Sequence, residues 1–184
     1  LKVTATIALC LFVTGCDRPV LTGSEDQLLQ ATIWFQHSAE MKALYYQSFN
    51  WAEEVLNRRI DEGAGKPLAV ILDIDETVLD NSPQTAQQIL DGRPFSYSMW
   101  DQWYSLVEAE PLPGSLEFTL GAADKGVEVF YISNRGVHLL DVTKKNLRQA
   151  GFPYADSAHI LLKTSTSGKN ARREKVKEAH EIAL

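Results

Sequence analysis

Leu68-Ala-Val-Ile-Leu-Asp-Ile-Asp-Glu-Thr-Val-Leu79 joins a continuous apolar run to two aspartates, Asp73 and Asp75, one residue apart. Such a run is typical of a strand buried on both faces of a parallel sheet. Because side chains alternate along a strand, we expect both aspartates on one side and Ile74 turned back into the packing. Two carboxylates at this position need a cation, hydrogen-bond donors or a catalytic use. Open parallel sheets bind ligands at such strand ends, so the location itself indicates a site.

The composition fits a globular protein with one ordinary domain plus appendages. The chain has 184 residues, 45% of them hydrophobic and 23% charged, and a formal net charge of −6. No sustained basic stripe offsets this charge, which argues against long nucleic acid as a partner. A small phosphorylated ligand is compatible with it, because a metal ion and a few donors can neutralise the ligand's charge.

The first sixteen residues have the shape of a secretory signal. Lys2 supplies a positive start, an apolar stretch follows, and Val13-Thr-Gly-Cys16 resembles a bacterial lipobox. We therefore predict a lipoprotein signal over residues 1–16 and lipid modification of Cys16. The alternative is a buried strand or helix of the fold. A lipid on Cys16 would anchor the chain to a membrane of the bacterial envelope without a spanning helix. By resemblance this is the outer membrane, while Asp17 after the cysteine resembles an inner-membrane retention signal.

The rest of the chain alternates helices with strands. Residues 17–67 are interpreted as a tether and an N-terminal helical segment, with apolar residues at helical spacing between residues 27 and 59. Residues 68–184 form the predicted core, with a polar and aromatic insertion over about 81–112. Further predicted strands cover 127–132 and 159–162, and predicted helices cover about 115–125, 138–149 and 169–180. This order predicts an α/β fold with a parallel sheet and flanking helices.

Polar side chains follow three predicted strands: Asp73 and Asp75, then Ser133, then Lys163. The carboxyl ends of parallel strands share one edge, so these groups should converge into a set suited to phosphoryl transfer. Ser133 could instead cap the next helix. Lys169 is a rival to Lys163, but it lies farther from the strand end, and a solvated helix face is the expectation for it. The same expectation holds for the basic side chains of Arg172, Arg173, Lys175 and Lys177.

Several motifs in order resemble a known family. The sequence D-I-D-E-T from Asp73, S-N-R from Ser133 and a lysine after the third strand resemble the haloacid dehalogenase (HAD) superfamily of aspartate-dependent phosphatases. Further blocks are similar to class C acid phosphatases, which are bacterial surface lipoproteins. These blocks are Trp34–Asn50, Asp75–Pro83, W-D-Q-W at 100–103, P-L-P-G at 111–114 and Y-I-S-N-R at 131–135.

The resemblance implies a role for each polar residue. Asp73 would attack the phosphorus and form an aspartyl-phosphate intermediate, and Asp75 would act as acid and then as base. Mg²⁺ would bind the Asp73 carboxylate and the Asp75 main-chain carbonyl. Ser133 with the amide of Asn134 would hold a phosphoryl oxygen, and Lys163 would offset the charge around Asp73. The substrate would be a small phosphomonoester, by the family's preference a nucleoside 5′-monophosphate, with one or two insertion aromatics stacking the base.

The family's fourth motif, an aspartate pair after one more strand, would begin where the chain ends at Leu184. We therefore expect the C-terminal part of the fold to be missing, the next strand only to begin at the end of the chain, and several strand hydrogen bonds next to the motif strand to have no partner. The missing fourth motif favours an alternative interpretation: the chain is a non-catalytic surface lipoprotein that binds a ligand or partner. A phosphomutase is a weaker alternative. The sequence leaves the oligomeric state open.

Overall fold

The computed structural model describes residues 23–184, with side chains from residue 27 onward. The predicted signal segment and Cys16 lie outside the described residues, so the lipid anchor stays a prediction. The helices are α1 (Gly23–His37), α2 (Ala39–Glu62), α3 (Ser82–Leu90), α4 (Tyr97–Leu106), α5 (Ser115–Asp124), α6 (Leu140–Gln149) and α7 (Asn170–Ala179), with a 3-10 turn at Val137–Leu139. The strands are β1 (Leu68–Leu72), β2 (Leu79–Asp80), β3 (Glu110–Pro111), β4 (Glu128–Gly136), β5 (Ile160–Lys163) and β6 (Glu181–Ile182).

A four-stranded parallel sheet with the order β5–β4–β1–β6 organises the described region. The short strands β2 and β3 pair antiparallel, and the helices α3 and α4 lie between them in the chain. This pair gathers the ends of the insertion, which forms a small helical cap after β1. The predicted α/β class, with its parallel sheet, flanking helices and cap, is confirmed. Across residues 23–184, every helix is too short or too polar to cross a membrane.

The central strand β1 sends alternate side chains into two apolar clusters. Val70 joins the larger cluster with Leu56 of α2 and Phe118 of α5, whereas Ala69 joins a smaller one with Val176 of α7. Helices therefore cover both faces of the sheet, which explains why β1 reads as a continuous apolar run. Full burial of a side chain such as Leu56 contributes roughly 1.5–3 kcal/mol to folding.

A short strand after α7 supplies partners for the residues at the start of β1. β6 pairs in register with Leu68 and Ala69 of β1. The amide of Ala183 donates to the carbonyl of Ala69 at 2.8 Å, and the amide of Ile71 donates to the carbonyl of Leu184 at 3.0 Å. The last four residues are enough to begin this ladder, because a parallel strand needs only alternate backbone groups for its bonds.

The N-terminal helical pattern resolves into two helices rather than one. Ser38 separates α1 from α2 with extended backbone angles, φ −78° and ψ 135°, and its hydroxyl accepts a hydrogen bond from the amide of Met41 at 2.9 Å. A serine that satisfies a free amide in this way begins a new helix. The apolar spacing continues across Ser38, which is why the sequence pattern indicates an unbroken helix.

A carboxylate and two histidines join three strands at the amino edge of the sheet, away from Asp73. Glu128 begins β4, and His159 and His180 immediately precede β5 and β6. Their Nε2 atoms lie 3.0 Å and 3.2 Å from Oε2 of Glu128, and Nδ1 of His159 lies 2.8 Å from the carboxylate of Asp156. Partial burial opposes ionisation of Glu128, but the hydrogen bonds from the two histidines outweigh it and hold the pKa of Glu128 below its ordinary value of 4.5.

This cluster predicts a loss of stability in acid. A carboxylate whose pKa is lower in the folded chain stabilises the fold above its unfolded value of 4.5, and that contribution disappears as pH falls through the folded value. We expect Glu128→Gln to reduce the decrease in the free energy of unfolding at low pH, called here the acid limb. The measurement is urea titration at pH values from about 7 to about 3, which span the ordinary carboxyl pKa. Glu117→Gln, on the exposed surface of α5, is the control and should keep the wild-type limb. An unchanged limb in Glu128→Gln contradicts the prediction.

Candidate active site

Asp73 lies directly after β1 with a carboxylate open to solvent. Its Oδ1 accepts a hydrogen bond from the amide of Ile74 at 2.8 Å, and its Oδ2 forms an ion pair with Nζ of Lys169. The side chain is 38% exposed. A carboxylate with one neighbouring cation and free access is suited to attack an electrophile.

A tight turn separates Asp73 from the rest of the chain. Ile74 is fully buried, as expected from the strand alternation, and its carbonyl accepts hydrogen bonds from the amides of Val78 and Leu79 at 3.0 and 2.9 Å. Glu76 takes a left-handed conformation with φ 52°, which costs roughly 1–3 kcal/mol for a residue other than glycine. The hydroxyl of Tyr45 on α2 donates to the carbonyl of Glu76 at 2.6 Å and holds the turn in place.

The carboxylate of Asp75 is held by three side chains, two from β4 and one from the residue before α3. Its Oδ1 accepts from Nη2 and Nε of Arg135 at 2.7 and 3.0 Å and from Nδ2 of Asn81 at 2.9 Å. Its Oδ2 has longer contacts, 3.2 Å to the hydroxyl of Ser133 and 3.3 Å to Nε of Arg135. Asp75 therefore has one oxygen bound tightly and one bound loosely.

Arg135 is the main electrostatic partner of Asp75. Its side chain has no solvent exposure, its guanidinium lies 4.0 Å from the centre of the Tyr104 ring, and Nη1 is 3.4 Å from the hydroxyl of Thr143. Arg135 is part of the S-N-R motif, but the family resemblance implied no role for it. The spacing of the motif could have indicated the contact, because positions 133 and 135 project to the same side if the strand continues past residue 132. The structure shows that β4 does continue, to Gly136.

Ser133 and Asn134 lie within β4, close to the start of α7. Ser133 is fully buried, and its hydroxyl also accepts from the amide of Arg135 at 3.1 Å. Arg172 donates to the carbonyl of Ser133 and, at 2.8 Å, to Oδ1 of Asn134. The prediction that Arg172 belongs to a solvated face was wrong. Its side chain instead fastens α7 to β4, because the first turn of that helix packs against the strand ends.

The structure corrects the placement of the lysine next to Asp73. Lys169 forms the ion pair with Asp73, whereas Nζ of Lys163 lies over the Tyr97 ring, 5.7 Å from its centre. Lys163 does end β5 as expected. The loop over residues 164–168 then returns to the sheet edge and delivers Lys169 at the cap of α7. Distance along the chain from the strand end was therefore a poor guide to distance from Asp73.

A cleft of about 490 Å³ lies between the cap and the carboxyl edge of the sheet. Its lining includes Phe95, Tyr97, Trp100, Tyr104, Arg135 and Lys163. Asp75 and Asn134 also face the cleft, so its inner end reaches the candidate acid and base. An aromatic wall next to charged groups fits a ligand with a flat apolar part and an anionic part.

A contact between two polar side chains links the cap to the core at the edge of the cleft. Nε2 of His138 lies 2.9 Å from Oδ2 of Asp101 on α4. The ring of His138 lies over Gly136, where an added Cβ would come within 2.5 Å of it. In the turn directly after Asp75, desolvation of the carboxyl group raises the pKa of Glu76 to about 7, and the nearby Asp75 carboxylate adds to the effect.

Comparison with known proteins identifies the family. Residues 22–184 match the family described as HAD superfamily, subfamily IIIB (acid phosphatase). The fold is similar to the structure of the class C acid phosphatase from Bacillus anthracis, with 46% identity and a TM-score of 0.84 over 87% of this chain and 67% of that one. A structure of that enzyme with tungstate bound matches equally well and is covered to 68%. The chain therefore belongs to HAD subfamily IIIB, and the predicted family is confirmed.

More distant similarity extends to plant proteins. The Stem 31 kDa glycoprotein of Glycine max is 26% identical over 144 residues, which cover 76% of this chain and 54% of that protein. Acid phosphatase 1 of Solanum lycopersicum is 30% identical over 115 residues, which cover 59% of this chain and 44% of that protein. The chain spans about half the length of the curated relatives it matches.

Replacing Lys169 and replacing Lys163 should have different effects on phosphomonoester hydrolysis. Lys169→Met removes the cation beside Asp73 and should lower kcat/KM for p-nitrophenyl phosphate about 10²-fold or more, by analogy with the loss of one stabilising donor. Lys163→Met should lower it only a few-fold, about the scale of one exposed cation contact with an aromatic ring. Lys175→Met, exposed on α7, serves as the control for charge alone. A larger loss in Lys163→Met than in Lys169→Met would contradict the assignment.

Proposed function

We propose that this protein is an acid phosphatase that hydrolyses small phosphomonoesters, most readily nucleoside 5′-monophosphates, through an aspartyl-phosphate intermediate. The observation that carries the proposal is the different surroundings of the two aspartates at one sheet edge. Asp73 is accessible and paired with a lysine, whereas Asp75 is fixed by Arg135 and Asn81. Two carboxyl groups in different environments are suited to two different roles.

In the first step, a carboxylate oxygen of Asp73 attacks the phosphorus, and the bond from phosphorus to the leaving oxygen breaks. Asp75 gives its proton to that leaving oxygen, so the product departs as a neutral alcohol. Lys169 offsets the negative charge that gathers between Asp73 and the phosphoryl group. The hydroxyl of Ser133, which Asp75 already contacts, is proposed to hold a phosphoryl oxygen together with the amide of Asn134.

In the second step, Asp75 takes a proton from a water molecule, and the water oxygen attacks the phosphorus of the intermediate. The bond between phosphorus and Asp73 breaks and releases inorganic phosphate, while Asp75 is left protonated for the next cycle. The looser hydrogen bonds of its Oδ2 make that oxygen the better one to carry the proton.

Phosphatases of this superfamily generally use a divalent metal ion, and the proposed ion is Mg²⁺. Among the described residues no group of three His, Cys, Asp or Glu side chains could hold a metal. Mg²⁺ needs fewer protein ligands, because it keeps several waters and binds through one or two carboxylates plus substrate phosphate. The Asp73 carboxylate and the Asp75 carbonyl are hard oxygen donors that fit this requirement. When bound, the ion would screen the repulsion between the phosphate and Asp73.

Asp73→Asn tests the reaction. The full-length protein with Mg²⁺ should release phosphate from a nucleoside 5′-monophosphate, and Asp73→Asn should lose at least about 10³-fold in kcat, because an amide cannot act as the nucleophile. Asp124→Asn, exposed at the end of α5, is the matched control. Wild-type rates in Asp73→Asn would rule out the mechanism. Ligand binding that is indifferent both to Mg²⁺ and to Asp73→Asn, without hydrolysis, would favour the non-catalytic alternative.

The preference for nucleotides rests on the aromatic wall of the cleft. Tyr97 is 74% exposed and packs edge-on against Phe95, with ring centres 5.1 Å apart. Such exposed rings at a cleft mouth can stack on a nucleobase, which is worth about 1–3 kcal/mol per base.

Tyr97→Ala should therefore raise KM for a nucleoside monophosphate about ten-fold, within the range of one lost stacking contact. The KM for glycerol phosphate, which has no base, should stay unchanged, and steady-state kinetics on both substrates measure the difference. Tyr46→Ala, on the exposed face of α2, controls for loss of a surface tyrosine. Equal changes in KM for the two substrates would argue against base stacking at this position.

A further inference from the structure

Asn81 connects the carboxylate of Asp75 to the cap helix α4. Its side chain is completely buried, its Nδ2 donates to Oδ1 of Asp75 at 2.9 Å, and its Oδ1 accepts from Nε1 of Trp103 at 2.8 Å. An indole N–H can only donate, so it fixes the carboxamide oxygen toward Trp103 and the amide group toward Asp75. The orientation of Asn81 therefore depends on a residue of the cap.

A second chain of contacts reaches Asp75 from the same helix. Tyr104, next to Trp103 on α4, lies with its ring 4.0 Å from the guanidinium of Arg135, which binds Oδ1 of Asp75. Both contacts end on Oδ1, and Oδ2 keeps only the longer contacts to Ser133 and Nε of Arg135. The two neighbouring residues of α4 thus determine which oxygen of Asp75 is restrained and which is left for proton transfer.

We propose that Asn81 and Trp103 are positioning residues, and that the cap sets the orientation of the acid and base through them. This inference rests on the proposed function, because it assigns the proton transfer to Asp75. Neither residue needs to touch the substrate. Their loss lets the Asp75 carboxylate rotate, so that its proton no longer faces the leaving oxygen, and small errors of placement at a reacting group cost up to about 10²-fold in rate.

The leaving group separates this role from a purely structural one. An alkyl alkoxide needs a proton as it leaves, whereas p-nitrophenolate leaves readily without one. A misplaced acid therefore slows formation of the aspartyl-phosphate intermediate far more from glycerol phosphate than from p-nitrophenyl phosphate. The second step is common to both substrates, so the comparison uses kcat/KM, which reports only the steps through departure of the leaving group. General damage to the fold would lower kcat/KM for both substrates alike.

The test uses Trp103→Phe in the full-length protein, since phenylalanine fills most of the buried space but lacks the N–H group. We expect kcat/KM for glycerol phosphate to fall about ten-fold or more, within the cost of a misplaced reacting group, and kcat/KM for p-nitrophenyl phosphate to fall no more than about three-fold. Asn81→Leu, which removes both hydrogen bonds, should give a larger split, and thermal unfolding checks that each variant is folded.

Trp51→Phe is the matched control, because Trp51 is 66% exposed on α2. It should leave both rates at the wild-type value. Equal losses of kcat/KM on the two substrates in Trp103→Phe, or no loss on either, would overturn the inference while the proposed function stands. If the wild type hydrolyses neither ester, the proposed function fails and the inference falls with it.

Discussion

A carboxyl group at the end of a buried strand, which the proposed cycle uses in both its charged and its protonated form, is the constraint on which the site depends. Removing a charge from water costs several kcal/mol unless partners replace the lost hydration. Asp75 meets this cost through the guanidinium of Arg135, which is itself fully buried and needs partners of its own. Those partners are the Tyr104 ring on the cap and Thr143 on α6. One ion pair therefore requires β4 to run on to Gly136 and the cap to close over the sheet.

The general plan of this site could be predicted from the sequence because it follows from strand geometry. An apolar run followed by Asp73 and Asp75 indicates a buried strand and its carboxyl end, and parallel strands bring their ends to one edge. Ser133 reaches that edge, and its hydroxyl contacts Asp75. The family resemblance pointed to the same plan, and the family match and the similar fold confirm both the superfamily and the α/β class.

The individual partners could not be predicted, because they depend on where loops return. Lys163 ends its strand as expected, yet the loop after it carries Lys169 back to Asp73, and no periodic pattern describes such a loop. Asn81 occupies the cap position before α3, but its side chain makes no capping hydrogen bond and turns inward to Asp75. Arg172 lies among basic residues whose composition is typical of an exposed helix face, and only the packing of α7 against β4 reveals its contacts.

The histidine cluster and the candidate active site lie at opposite edges of the sheet, and this separation matters for protein engineering. Glu128, His159 and His180 tie the strands together at the amino edge, while the candidate chemistry occupies the carboxyl edge at the other end of the same strands. Sites so far apart, with no shared partners, usually contribute independently. Tolerance of acid could therefore be adjusted at one end of the strands, by selection or by design, without re-optimising the catalytic groups at the other.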